Sequence, residues 1–370
     1  MAKVRGLQDL ETPAALVDVD RMRANLEGAG AYCRQWGIGY RPHAKSHKSA
    51  ELAVEQLKVG AMGVTVATPL EAEVMARVTN DILVAYPPIG PARLARLLSL
   101  PERVDLTVAL DSAAALRGLA RGAQARGREV GVLVEVDVGL HRVGVQNQNE
   151  LVSLAREAAG TPGIRYRGIM LYPGHIRTPL PEQTGGLRAL SETLRTTLEI
   201  LAREGLDPEV VSGGSTPTFP RSHEVAGVTE VRPGTGIFND RTTALLEACD
   251  WTDCAYSVLS TVVSTSFSGH AVVDAGSKAL AKEEVRASFS DPGIATGYGC
   301  VLDQPDLRIT ALSEEHGIID LRESFWRPKP GDQVRIVPNH VCVSVNLYER
   351  LWQVRGEEVL GWWEVEARRG

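Results

Sequence analysis

The chain has 370 residues, of which 44% are hydrophobic and 23% are charged, as in an ordinary globular protein. Its net charge of -6 argues against a nucleic acid or an anionic membrane surface as a partner. No apolar run approaches the roughly 20 residues that span a bilayer, and the first residues lack the apolar core of a signal peptide, so we expect a cytoplasmic protein. The five cysteines are scattered and odd in number, which does not indicate a disulfide framework.

Between residues 38 and 232, short β-branched runs alternate with amphipathic stretches rich in Ala, Leu, Arg and Glu. Eight runs predict strands, at residues 38–43, 63–68, 82–86, 104–110, 130–136, 166–171, 209–212 and 229–232. Helices are predicted around and between them, at residues 21–35, 50–58, 69–77, 91–100, 113–126, 150–159 and 181–204. Eight βα units predict a (β/α)8 barrel of the TIM type, in which reactive groups lie at the carboxyl ends of the strands.

The pattern changes near residue 245, after which β-rich runs separated by turns dominate and few helical stretches remain. We therefore predict an all-β domain over residues 246–370, following a barrel domain over residues 20–245. An apolar run at residues 14–19 precedes the barrel strands, so residues 1–19 can join the β domain.

A lysine between two histidines follows the first predicted barrel strand, in the stretch RPHAKSHK that contains His43, Lys45 and His47. A lysine at the carboxyl end of a barrel strand is where a carbonyl cofactor such as pyridoxal phosphate (PLP) forms a Schiff base. The flanking imidazoles could hold that lysine partly neutral or move protons beside it. A lysine taken alone would indicate only a surface residue, and the His-x-Lys-x-His context favours the functional interpretation.

Two further strand ends carry polar side chains that suit an active site. Arg142 lies in DVGLHRVG, directly after an apolar strand, where its guanidinium can bind a cofactor phenolate or a substrate carboxylate. The next strand ends in Tyr172-Pro-Gly-His175, whose tyrosine can stack on a pyridine ring and whose histidine can act as a base. Ordinary βα turns without chemistry are the alternative for both segments.

Glycine-rich turns follow the last two predicted barrel strands. One contains Gly213, Gly214 and Ser215, and the other contains Gly234 and Thr235. Successive glycines expose backbone N–H groups, and the loops after strands seven and eight form the usual phosphate site of such barrels. Each turn alone is weak evidence. Two glycine-rich turns after strands seven and eight together predict a phosphate-binding site.

An imidazole and a thiol lie two residues apart late in the chain, at His340 and Cys342 in PNHVC. In a β-strand this spacing places both side chains on one face, which suits a divalent metal. Two protein ligands leave positions open for water or substrate, as in catalytic sites, and a thiolate favours zinc over magnesium or calcium. A buried cysteine and a hydrogen-bonded histidine in a domain core are the alternative.

Together these motifs resemble PLP enzymes of the alanine-racemase-like fold type, and more narrowly the D-threonine aldolase / D-serine dehydratase family. The resemblance covers nearly the whole chain, through RPHAKSHK, DVGLHRVGV, the GGST and RPGTGIFND turns, VVDAGSK and PNHVCVSVNL. It implies a PLP-binding barrel, a C-terminal β domain, and a homodimer in which the partner subunit completes each active site. It also implies a small-molecule substrate, a D-hydroxy amino acid.

The resemblance implies a role for each motif residue. Lys45 would carry PLP as a Schiff base, with His43 beside it, and His340 and Cys342 would bind zinc or manganese, ahead of magnesium. The remaining cofactor contacts would come from Arg142 and Tyr172 at the ring and from Gly213, Gly214, Ser215, Gly234 and Thr235 at the phosphate.

Two reactions fit this set of residues. If His47 or His175 takes the proton of the substrate's β-hydroxyl, the Cα–Cβ bond breaks and releases glycine and an aldehyde. If Lys45 takes the Cα proton, the hydroxyl leaves from Cβ and a 2-oxo acid and ammonia form; the pair His-x-Cys, common in the dehydratases of the family, favours this course. The expected function is a D-threonine aldolase, ahead of a D-serine or 3-hydroxy-D-aspartate dehydratase, with an amino-acid racemase or a non-catalytic PLP-binding protein as further alternatives.

Overall fold

The computed structural model describes residues 4–289 and 291–368. Two compact units make up the chain. The barrel unit comprises Gly28–Ile176 and Leu180–Gly234, and the β unit comprises the residues up to Glu27, Arg177–Pro179 and Thr235–Arg368. The domain limits expected from the sequence, 20–245 and 246–370, stay a prediction.

The first part of the chain alternates strands and helices. The strands are β1 (Ala14–Asp18), β2 (Gly39–Tyr40), β3 (Val64–Val66), β4 (Asp81–Val84), β5 (Asp105–Leu110), β6 (Val130–Val136), β7 (Ile164–Leu171), β8 (Val210–Gly213) and β9 (Glu230–Val231). The helices are α1 (Val19–Trp36), α2 (Ala50–Lys58), α3 (Pro69–Met75), α4 (Pro91–Leu98), α5 (Ala113–Gln124), α6 (Gln148–Gly160) and α7 (Thr184–Arg203).

Strands β2 to β9 form one parallel sheet in the order β2-β9-β8-β7-β6-β5-β4-β3. A parallel bridge between His43, just beyond the end of β2, and Thr65, in the middle of β3, joins the two outer strands, and the Thr65 N–H donates to the Pro42 carbonyl at 2.8 Å. The sheet therefore closes on itself, and the prediction of a TIM-type barrel is confirmed. All eight carboxyl ends consequently lie at one rim of the barrel unit.

Local sequence explains where the barrel helices begin. Thr68, Ser112 and Asn147 precede α3, α5 and α6, and each side-chain oxygen accepts the backbone N–H of the third helical residue. Thr68 and Ser112 follow β3 and β5 after a short turn, and Asn147 follows β6 after the loop at residues 137–146. Each of these helices therefore begins after the carboxyl end of a barrel strand. No helix in the described ranges is both long and apolar enough to cross a bilayer.

The rest of the chain is mostly antiparallel sheet. Its elements are α8 (Arg241–Leu245), β10 (Tyr256–Ser264), β11 (His270–Val273), α9 (Ser277–Leu280), β12 (Gly299–Val301), β13 (Gln304–Leu312), β14 (Gly317–Asp320), β15 (Gln333–Pro338), α10 (Val341–Val345), β16 (Arg350–Arg355) and β17 (Glu358–Glu364). Strands β10, β11, β14, β13, β12 and β15 pair in a closed ring, and β1, β16 and β17 extend the sheet from β10. The β unit is thus an antiparallel barrel, and the predicted C-terminal all-β fold is confirmed.

The strand predicted across His340 and Cys342 is wrong. Strand β15 ends at Pro338, His340 has extended backbone, and Cys342 lies in the short helix α10. The ladder stops because Asn339 turns its amide to the Glu283 and Gly297 carbonyls, at 2.9 and 2.7 Å. The imidazole of His340 and the thiol of Cys342 therefore do not lie on one face of a strand.

A buried ion cluster holds the barrel together just before the lysine turn. Arg41 is 3% exposed, and its Nε donates to Glu230 at 2.8 Å while its two terminal nitrogens donate to Asp81 at 2.5 and 2.9 Å. Glu230 is itself 2% exposed. One guanidinium thus links the end of β2 to β9 and to the start of β4.

We expect Arg41→Met to lower the free energy of unfolding by about 3–5 kcal/mol, because it leaves the Glu230 carboxylate buried without its partner. The matched control is Arg165→Met, which removes a half-exposed pair with Asp105 and should cost at most about 1 kcal/mol. Denaturant unfolding of both variants measures the difference. Equal losses in the two variants would contradict the interpretation of the Arg41 cluster.

Candidate active site

Lys45 lies in a 3-10 turn, Ala44–Ser46, that follows β2 at the rim of the barrel unit. Its side chain is exposed, whereas those of Ala44 and Ser46 are buried. The backbone N–H of Lys45 donates to Nδ1 of His43 at 3.4 Å. Burial and the nearby positive charges of Lys45 and Arg232 lower the pKa of His43 well below its usual value. His43 is therefore a neutral imidazole that fixes the turn and presents the lysine at the rim.

His47, predicted as a base, is fully buried behind the same turn. Its Nδ1 accepts the Ser49 N–H at 3.1 Å, so the other ring nitrogen carries the proton and donates to Oε1 of Gln56 at 3.2 Å. Burial lowers the pKa of His47 to about 4, although both hydrogen bonds oppose the shift. Both ring nitrogens are thus engaged, and the geometry suits a structural role better than proton transfer to a substrate.

The two glycine turns lie beside the lysine turn. The Gly234 N–H donates to Oγ1 of Thr216 at 3.2 Å, which joins the turn after β9 to the turn after β8. A Cβ added to Gly234 would lie 2.7 Å from Oγ of Ser46, so only glycine allows this approach to the lysine turn. In the turn after β8, Gly214 has a φ of +82°, and the Ser215 N–H donates to the Thr218 hydroxyl at 3.3 Å. Gly213 ends β8 itself and pairs with Val231 of β9.

A second group of predicted residues meets at the ends of β6 and β7. The Arg142 guanidinium lies over the Tyr172 ring, 5.1 Å from its centroid. A Cβ added to Gly139, whose φ is +119°, would lie 3.2 Å from Nε2 of His175. The exposed His175 therefore packs against the backbone of the loop that carries Arg142.

Sequence reasoning missed two buried charged residues at this rim, Glu135 near the end of β6 and Arg232 directly after β9. They are 3% and 6% exposed, and an arginine Nη donates to the Leu171 carbonyl at 2.7 Å. Within the described part of the chain, Oε2 of Glu135, Nε of Arg232 and Oγ of Ser212 are buried without a hydrogen-bond partner. The sequence could have indicated that Glu135 is buried, because it is the one charged residue in the apolar run GVLVEV.

These unpaired atoms, the exposed lysine and the glycine turns fit a polar cofactor with a carbonyl and a phosphate. Buried polar groups without partners are rare in native proteins, and a bound polar molecule can satisfy them. The barrel unit thus meets the requirements for PLP from its own residues: an amine, a backbone cradle, and charged groups within the rim.

The predicted metal pair lies in the β unit. His340 is held by Asp240, whose Oδ2 lies 3.2 Å from Nδ1 of the imidazole, and the Cys342 sulfur lies 3.6 Å from the Thr235 hydroxyl. Burial disfavours an imidazolium, yet the Cys342 sulfur and the Asp240 carboxylate raise the pKa of His340 well above its usual value. An imidazole and a thiol side by side are ligand types that a divalent cation such as zinc takes. Asp240 is a third residue that sequence reasoning missed.

His340 and Cys342 form a pair rather than part of a larger cluster of ligand side chains in the described residues. Among the described residues, no group of three or more His, Cys, Asp or Glu side chains could hold a metal ion. A cation held by His340 and Cys342 would therefore retain positions for water or substrate. The hydroxyl of Thr235 lies 3.6 Å from the Cys342 sulfur, and the phosphate contact that the family resemblance assigned to Thr235 stays a prediction.

Two family models cover most of the chain. The N-terminal domain of alanine racemase matches residues 17–242, and a serine dehydratase domain matches residues 255–354. The chain is 35% identical to the D-threo-3-hydroxyaspartate dehydratase of Delftia sp. (strain HT23), over 91% of this chain and 92% of that protein. The chain belongs to the D-threonine aldolase / D-serine dehydratase family. The protein is accordingly a PLP-dependent lyase, as the motifs predicted.

Other members of the family are similarly close. The D-threonine aldolase of Arthrobacter sp. is 30% identical over 98% of this chain and 94% of that protein. The crystal structure of a D-threonine aldolase from Filomicrobium marinum matches with a TM-score of 0.89 at 29% identity, and covers 99% of this chain and 98% of that one. Aldolases and dehydratases of the family therefore share this fold over their whole length.

Solved variants of a D-threo-3-hydroxyaspartate dehydratase bear on the metal pair. One replaces a cysteine by alanine and is in a metal-free form; it matches with a TM-score of 0.86 at 33% identity, covering 97% of this chain and 98% of that one. Another replaces a histidine two positions before that cysteine. The spacing equals that of His340 and Cys342.

The buried carboxyl at the rim yields a prediction about stability. Burial raises the pKa of Glu135 to about 7, although Arg232 and Arg142 favour the carboxylate and Asp111 and Asp137 disfavour it. Because the folded protein holds this proton more tightly, the stabilisation is fully present below about pH 4.5 and is lost as the pH rises through 7. We expect the unfolding free energy of the apoprotein to fall by about 3 kcal/mol, relative to Glu135→Gln, between about pH 4.5 and pH 8.

Denaturant titrations of both proteins across this pH range give the measurement. Glu129→Gln, an exposed residue just before the same strand, is the matched control and should follow the wild type. A Glu135→Gln curve parallel to the wild-type curve would contradict the assignment.

Proposed function

We propose that this protein is a PLP- and divalent-metal-dependent dehydratase of D-3-hydroxy amino acids, which eliminates the β-hydroxyl and yields a 2-oxo acid and ammonia. The observation that carries the proposal is the imidazole and thiol pair of His340 and Cys342. The Delftia dehydratase, which shares 35% identity with this chain, supports it, as do the dehydratase variants at a histidine and a cysteine with the same spacing. D-serine and 3-hydroxy-D-aspartate are the substrates we would supply first.

The barrel unit supplies the residues for the cofactor. PLP, when bound, supplies an electron sink that stabilises a carbanion at the substrate Cα. Lys45 Nζ, exposed at the rim, is the group that we propose to hold the cofactor and then to take the Cα proton. His43 keeps the turn in place as a neutral imidazole, so it adds no positive charge beside the amine. Arg142 and Tyr172 would contact the ring, and the turns at Gly213–Ser215 and Gly234 would bind the phosphate.

The β unit supplies the residues for the metal. A divalent cation held there would act as a Lewis acid that stabilises the negative charge on the hydroxide as it leaves Cβ. His340 offers a ring nitrogen and Cys342 a sulfur, and this N,S donor set favours zinc. Manganese is the other metal that the family resemblance implies. Thr235 lies against the Cys342 sulfur and can donate a hydrogen bond to a thiolate there.

The surroundings of the histidines favour elimination over the retro-aldol cleavage that the sequence predicted. Retro-aldol cleavage needs a base for the β-hydroxyl, and His47 is buried with both ring nitrogens engaged. D-Threonine aldolase stays the second candidate, because the exposed His175 remains a possible base next to Tyr172. The aldolase structure with a TM-score of 0.89 also supports it.

Three features expected from the sequence also remain proposals. They are a homodimer in which the partner subunit completes each site, a cytoplasmic location, and domain limits at residues 20–245 and 246–370. Light scattering during size-exclusion chromatography tests the first, and a monomer with full activity would contradict it.

A product assay tests the proposed reaction. The purified protein with PLP and zinc or manganese would receive D-serine, D-threonine and 3-hydroxy-D-aspartate in turn, with and without EDTA. We expect ammonia and a 2-oxo acid, lost with EDTA, and neither product nor Schiff-base absorbance from Lys45→Ala. Glycine and acetaldehyde from D-threonine would instead establish the aldolase. Chelator-insensitive racemisation would contradict both.

The thiol at position 342 gives a second prediction. We expect Cys342→Asp to lower the rate of 2-oxo acid formation at least about tenfold, because a harder oxygen ligand replaces the thiolate. Any activity that remains should shift toward glycine and aldehyde, since family aldolases often carry His-x-Asp. The measurement is the ratio of the two product sets from D-threonine, with Cys300→Ala, a buried cysteine of β12, as control. An unchanged ratio and rate would contradict the role given to the sulfur.

A further inference from the structure

Asp240 uses both of its carboxylate oxygens in the described structure, and they have different partners. Its side chain is 1% exposed. Oδ1 accepts the Thr243 N–H at 2.9 Å and the Thr243 hydroxyl at 3.0 Å, which caps α8. Oδ2 accepts the Val341 N–H at 3.0 Å and lies 3.2 Å from Nδ1 of His340. A helix cap needs only the first oxygen, so capping leaves the second set of contacts unexplained.

The second set of contacts determines which nitrogen of His340 is available. Oδ2 accepts the Val341 N–H and acts as the acceptor at this position, so Nδ1 of the imidazole is the donor of the second contact. Nε2, on the other side of the ring, is then the nitrogen that can bind a cation, which would take the place of any proton there. The Val341 N–H, held by the same oxygen, fixes the backbone between His340 and Cys342.

Asp240 is itself held rigidly. Its backbone N–H donates to the Thr243 hydroxyl at 2.8 Å, and Asn239 before it adopts a φ of +55°. The carboxylate is therefore positioned by α8 and by the preceding turn before any ligand arrives. The same segment begins at Thr235, whose hydroxyl lies 3.6 Å from the Cys342 sulfur. One stretch of chain thus contacts both members of the pair.

We propose that Asp240 is the positioning residue of the metal pair, which presents Nε2 of His340 to a divalent cation and compensates part of its charge. The inference rests on the proposed function, because it takes His340 and Cys342 as the metal ligands. A carboxylate behind a ligating histidine orients the ring and raises the basicity of the ligand, and its loss typically weakens metal binding 10- to 100-fold. Asp240 does not itself bind the metal in this arrangement.

The first variant is Asp240→Asn in the PLP-loaded protein. Asparagine caps a helix as well as aspartate does, so α8 should persist, while the negative charge behind His340 is lost. We expect zinc affinity, measured by competition with a chromophoric chelator, to fall 10- to 100-fold. Schiff-base absorbance at Lys45 should stay unchanged, which reports an intact barrel unit. Asp250→Asn, another aspartate directly before a helical turn in the β unit, is the matched control and should bind zinc as the wild type does.

The second variant is Asp240→Ser, which keeps a capping oxygen but is too short to reach both Thr243 and His340. It should weaken zinc binding at least as much as Asp240→Asn does. Cobalt absorption adds a readout at the sulfur: the cysteine-to-cobalt charge-transfer band should persist in Asp240→Asn at saturating cobalt, because Cys342 remains a ligand. The band should disappear in Cys342→Ala.

The outcomes separate this inference from the proposed function. If His340→Ala and Cys342→Ala bind zinc as tightly as the wild type, the metal pair is wrong and the inference falls with it. If those variants lose zinc while Asp240→Asn and Asp240→Ser bind it with wild-type affinity, the metal pair stands and the role of Asp240 is overturned.

Discussion

The barrel unit depends on the seam at which its parallel sheet closes. Strand β2 is only two residues long, and its end is held by Arg41, which reaches Glu230 on β9 and Asp81 on β4. The bridge from His43 to Thr65 then joins β2 to β3. Lys45 follows within two residues. The position of the Lys45 amine therefore depends on a buried ion cluster whose charges are stable only as a set.

Burial of charge is also what the rim of the barrel and the metal pair have in common. Glu135 and Arg232 lie at the rim with polar atoms that have no protein partner, whereas Asp240 and His340 satisfy one another in the β unit. The first arrangement leaves hydrogen-bonding capacity for a bound molecule, and the second leaves one ring nitrogen and one sulfur for a cation. The difference follows from whether each buried group already has a partner within the protein.

Only a few side chains would decide whether the substrate undergoes elimination or aldol cleavage. The fold is shared by aldolases and dehydratases at about 30% identity, so fold alone does not select the reaction. The two histidines of the lysine turn do not select it either, since both are buried and serve the turn and its neighbours. The distinction therefore falls on the donor set of the metal pair and on the exposed His175.

By itself, the sequence determined the eight strands, the helices between them, and the strand ends that carry Lys45, Arg142 and the glycine turns. These features are local, because periodicity and turn residues record them within a few positions. Only the tertiary structure decided that His340 and Cys342 leave the strand, since the N–H between them bonds to Asp240, which is 101 residues from Val341. It likewise decided that His47 is buried against Gln56 and that the buried Glu135 carboxyl is close enough to Arg232 for their charges to interact. A charge inside an apolar run can indicate burial, as at Glu135, but a single sequence does not record which residue a buried group contacts.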